Sequence, residues 1–112
     1  MNIQRLAIHW LHRRFPQAPA EGPYYSFEEA LRRNQMDEPA LEAMGTILRG
    51  ITSSDERVSP HAAGIGALLN GLSFESANDI ELIEKSMPIF DSLYTWARNQ
   101  IIERSRWTPG PV

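Results

Sequence analysis

Between Asp79 and Ile101 the apolar residues Ile80, Ile83, Met87, Phe90, Tyr94, Ala97 and Ile101 recur at intervals of three and four. A strand would place alternate residues on one face, whereas this spacing puts all seven on one side of an α-helix. At 1.5 Å per residue such a helix is about 30 Å long, the width of a small domain. Its apolar face must be covered by other elements of the same kind. Pro88 falls inside the pattern, removes one backbone donor and crowds the preceding turn, so the helix is expected to kink or split there.

Upstream, the covering elements are legible. Ile3, Leu6, Ala7, Trp10 and Leu11 form one stripe, closed by Pro16. PQAPAEGPYY is a loop on its prolines and glycine. Ser26 opens SFEE, a capping-box pattern that predicts a short helix to about Asn34, with Glu29 reaching back to the cap N–H. Asp37 or Glu38 then caps a helix with Pro39 in its first turn and Leu41, Met44, Leu48 and Ile51 inward. ITSSDERVSP is polar and loop-like. After Ser59-Pro60 a fourth helix is expected to bury Ala62, Ile65, Leu68, Leu69 and Leu72. Gly64 and Gly66 weaken it by about 1 kcal/mol each, a cost consistent with close packing of a neighbouring helix. The reading is all-α: a compact bundle of four to five helices ending in a long, kinked helix. It forms one domain over residues 1–107, with 108–112 a flexible tail.

Composition removes several functions. The 112 residues contain no cysteine, which excludes disulfides, thiolate metal sites and thiol nucleophiles. No apolar run is long enough to span a bilayer, and the basic residues of MNIQRLAIHWLHRRF follow its apolar positions, unlike a secretory signal. The chain reads as cytoplasmic. Its formal charge is −3, with Arg5, Arg13 and Arg14 at one end and Glu75, Asp79, Glu81, Glu84 and Asp91 in the last third. A nucleic-acid binder carries a basic footprint, and this balance argues against one. Arg32, Arg33 and Arg49 are offset by Glu28, Glu29 and Glu42.

The acidic stretch GLSFESANDIELIEKS has a local explanation. Asn78 is a good N-cap with Glu81 three residues on, and acids in the first turns favour the helix dipole. Since the apolar stripe occupies the inner face, the acids form a solvated rim beside an apolar edge, a surface suited to a basic partner. Glu75 precedes the cap, and Phe74 is a candidate anchor near the helix entrance. Tyr24 and Tyr25, on the proline-rich loop, are candidate interface anchors, one expected to cover the core and the other to be partly exposed. Trp96 is expected in the core, and Trp107 suits either core or contact.

Catalytic signals are weak. His9 and His12 at i, i+3 with His61 do not make a marked metal site, since zinc needs three or four placed ligands. Glu28–Glu29, Asp55–Glu56 and Asp79–Glu81 are neighbours on a helix or loop and make poor acid–base dyads. GIGALLNG follows no strand, so the dinucleotide reading fails on context. We expect no enzyme activity, no cofactor and no metal.

GIGALLNGLSFESANDIELIEKS, Gly64 to Ser86, resembles the middle of small all-helical immunity proteins that protect bacteria from type VI secretion effectors, in particular those paired with an NAD-degrading toxin. RLAIHWLHRRFP, Arg5 to Pro16, is similarly placed and patterned; together the two segments cover about a third of the chain. The resemblance implies an inhibitor that binds a cognate toxin and occludes its active site. Glu75, Asp79, Glu81 and Glu84, with Tyr24 and Tyr25, are the partner-binding residues expected on charge and position. The alternative expectation is a small helical DNA-binding regulator, possible in a phage-derived chain.

Overall fold

The computed structural model describes residues 1–16, 24–53 and 59–106. They form α1 (Ile3–Arg14), α2 (Phe27–Arg33), α3 (Pro39–Ser53), α4 (Ala62–Glu75) and α5 (Asp79–Arg106), with no strand among them. The expected all-α bundle is what forms. α3 lies at the centre, packed on the other four helices, and α5 runs along α1, α3 and α4. Parts of both expected loops, together with Asp55, Glu56, Trp107 and the tail, lie outside the described residues.

α1, α2 and α5 begin where a side chain satisfies one of the first free N–H groups, whereas His61 ahead of α4 makes no such bond. Asn2 Oδ1 accepts from Arg5 N at 2.8 Å, Ser26 Oγ from Glu29 N at 3.1 Å and Asn78 Oδ1 from Glu81 N at 2.9 Å. Glu29 reaches one residue further back than the capping box predicts, accepting from Tyr25 N at 3.1 Å. α2 ends in a Schellman motif. Gln35 adopts φ 55°, Met36 N donates to Leu31 O and Gln35 N to Arg32 O. Glu38 does not cap α3 with its side chain; it accepts the Tyr94 hydroxyl instead.

The core is centred on Trp10, whose ring lies 5.6–6.4 Å from those of Tyr94, Phe15, Phe90 and Phe27. Gln4, unremarked in the sequence, is buried and joins three elements. Its Oε1 accepts from Phe27 N at 2.8 Å and its Nε2 donates to Thr52 Oγ1 at 3.0 Å. α3 and α4 approach closely: a Cβ on Gly50 would sit 2.9 Å from Ala62 Cβ, and one on Gly66 3.2 Å from Ile51 Cγ2. Gly64 differs, because nothing lies within 4 Å of its Cβ position.

The helical period misplaces two residues. Leu68 and Ile80 are 57% and 73% exposed, and Phe74, the candidate anchor, is 88% exposed. Leu68 lies beyond the α4 face that meets α3. Ile80 and Phe74 flank the α4–α5 turn, where no described element covers them. Leu82, Ser86 and Leu93 are buried as well, so the inner face of α5 is wider than the stripe. Pro88 does not split α5, which continues to Arg106. Pro88 and Glu84 both lie on the solvent side, where water can satisfy the carbonyl left without a donor.

Candidate functional site

The acids of the expected rim gather at the α4–α5 turn and remain on the surface. Three have cationic partners. Glu84 pairs with Arg13 at 2.7 Å, Glu81 with Lys85 at 2.9 Å, and Asp79 lies 3.6 Å from the N-terminal ammonium. Lys85 also donates to the Glu75 carbonyl at 3.3 Å. The hydrogen bond from Lys85, followed by one from the backbone at Ala77, holds the Glu81 carboxyl below its ordinary range. The rim is therefore solvated but largely neutralised.

Tyr24 and Tyr25 stand at the entrance to α2, on different elements from the acids. Tyr24 packs partly on the core, with the Arg33 guanidinium 5.1 Å from its ring centre and its hydroxyl accepting from Asn34 Nδ2 at 3.2 Å. Tyr25 is 89% exposed. One of the two covers the core as expected, and the other is more fully exposed than the partial exposure expected of it.

A different surface stands out on geometry. α4 and α5 diverge around a groove of about 350 Å³, walled by His61, Ile65 and Leu68 on one side and Ile89, Ser92, Leu93 and Trp96 on the other. Trp96, expected in the core, is 38% exposed and forms one lip of the groove. The His61 ring meets it edge-on at 4.8 Å. Among the described residues that line it, His61 is the only ionisable one. The groove can desolvate apolar side chains, and the polar side chains among the residues that line it are the His61 imidazole and the Ser92 hydroxyl.

The other polar clusters tie helices together. Asp91 accepts from Trp10 Nε1 at 2.8 Å and takes the Arg14 guanidinium through two 2.8 Å bonds, joining α1 to α5. The Arg14 bond, with help from Trp10, lowers the Asp91 pKa against its partial burial. Burial and the bond to Glu38 push Tyr94 up to about 12. His12 is held below 6.5 by burial and by His9, and its Nδ1 has no hydrogen-bond partner among the described residues. His61 immediately precedes α4 and packs against Trp96 of α5. No group of three metal-ligating side chains occurs among the described residues.

The profile of the family described as ChrB, C-terminal domain, matches residues 17–97. That is well over half of the chain. The chain belongs to the ChrB C-terminal domain family. No curated protein and no solved structure matches it. The ChrB match takes in α2, α3, the whole of α4 and α5 as far as Ala97, so both walls of the groove fall inside it. α1, with Trp10 and Arg14, falls outside. No helix among the described residues is long and apolar enough to cross a membrane.

Proposed function

We propose that this ChrB-type domain is a cytoplasmic protein-association module that acts by docking and not by catalysis. The observation that supports it is the α4–α5 groove: a largely apolar surface with Leu68 and Trp96 exposed at its lips. Contiguous exposed apolar surface of this kind marks interaction sites on soluble proteins. The family is related to chromate resistance, and the domain's docking is proposed to serve that response. The test is complementation of a deletion strain, scored for chromate tolerance. Wild-type protein restores tolerance and Leu68→Glu does not, at equal cellular abundance. Equal rescue by Leu68→Glu would refute the docking reading.

The immunity-protein reading is the second proposal. What favours it is that Asp79 and Glu84 keep side chains 64% and 57% exposed, facing solvent as a toxin-binding shoulder requires. It calls for a toxin with a cationic cleft. Reversing Glu81 and Glu84 to Lys would then abolish protection against that toxin, while Leu68→Glu would leave protection intact.

A further inference from the structure

We propose that the occupant of the α4–α5 groove is a second copy of this chain. Two groove faces pack about a two-fold axis, each Leu68 entering the groove of the other copy. This inference rests on the docking reading above and specifies its partner.

A two-fold contact sets one patch against itself, so the patch must carry both a projection and a recess, without net charge. Here the two are adjacent. Leu68 projects, 57% exposed, from the lip of the recess between Ile65 and Trp96. Charge makes the second argument. The chain as a whole carries −3, yet α4 has no ionisable side chain from Ala62 to Phe74. The α5 wall, Ile89, Ser92, Leu93 and Trp96, has none either. Like charges brought together across a two-fold axis would oppose association, and among the described residues this face brings no carboxylate, lysine or arginine, only the His61 imidazole at one end. A cationic partner would find no carboxylate in the lining, and an anionic membrane would find no lysine or arginine there. The face instead matches an apolar copy of itself.

Close approach supplies a third, supporting argument. Gly64 and Gly71 weaken α4, but added Cβ atoms there would meet nothing within 4 Å. Packing inside the chain therefore does not call for glycine at either position. Both lie on the exposed side of α4 with Leu68, where a second backbone would come near.

Sedimentation equilibrium on the full chain over a wide concentration range tests this. Wild-type protein is expected to reach the dimer mass. Leu68→Glu should raise the dimer dissociation constant at least about thirty-fold, as for a central interface residue, with unchanged circular dichroism. Ile80→Glu, at a still more exposed apolar position outside the groove, should leave dimerisation unaltered. Trp96→Glu guards against an idiosyncratic effect at Leu68 and should also dissociate the dimer. A wild-type chain monomeric throughout would overturn the self-association proposal. It would leave the docking reading to the complementation test. A dimer equally tight in the Leu68→Glu and Trp96→Glu variants would overturn it as well.

Discussion

At the residue scale, the least replaceable polar group is the Asp91 carboxylate. It satisfies the indole N–H of Trp10, a side chain only 1% exposed. Asp91→Ala strands that donor and is expected to cost about 1–2 kcal/mol in urea unfolding, with the solvent-exposed Arg14 pair adding little. The folded-state pKa of Asp91 lies below its ordinary value of 3.8. Its contribution is thus complete above that pH and lost as pH falls through the folded value, so wild type and variant should converge in acid. Tyr94 has the opposite sign. Its pKa is raised from 10.0 to about 12, so its contribution holds below pH 10 and fades as pH climbs through 12. Absorbance at 295 nm should show one late-ionising tyrosine, absent in Tyr94→Phe. Gln35 occupies the left-handed φ of 55° that glycine adopts freely. Gln35→Gly should raise stability by about 0.5–1 kcal/mol, measured by thermal unfolding.

At the scale of elements, periodicity and capping chemistry made all five helices readable, because both are local. Asn2 and Asn78 cap as short polar side chains do, although only the second was singled out. What the pattern missed depends on neighbours. Leu68 and Ile80 have the right spacing, yet no helix arrives to cover them. Trp96, large and apolar, reads as a core residue from the sequence; its place on the lip depends on the divergence of α4 from α5. Gln4 was invisible as a structural residue, because its two partners lie 23 and 48 positions away. The glycines divide similarly. Gly50→Ala should lower the melting temperature, because its Cβ would sit 2.9 Å from Ala62 Cβ, which has no rotamer to yield, and the helices must part against the usual helix gain of about 1 kcal/mol.

For the whole molecule, the question is which surface the bundle leaves for a partner. The acids that looked available in the sequence gather at one corner, as expected, but Lys85, Arg13 and the chain's own ammonium neutralise most of them. Those cations come from distant or adjacent turns, and their approach could not be read from acid spacing. The apolar surface of the groove is what intramolecular contacts leave unsatisfied. The most direct measurement is hydroxyl-radical footprinting of the chain in its native cell against the same chain purified and dilute. The account predicts that Leu68 and Trp96 lose reactivity in the cell while Phe74 and Ile80, beside the acidic corner, keep theirs. Protection of Phe74 and Ile80 with Leu68 and Trp96 unchanged would contradict it.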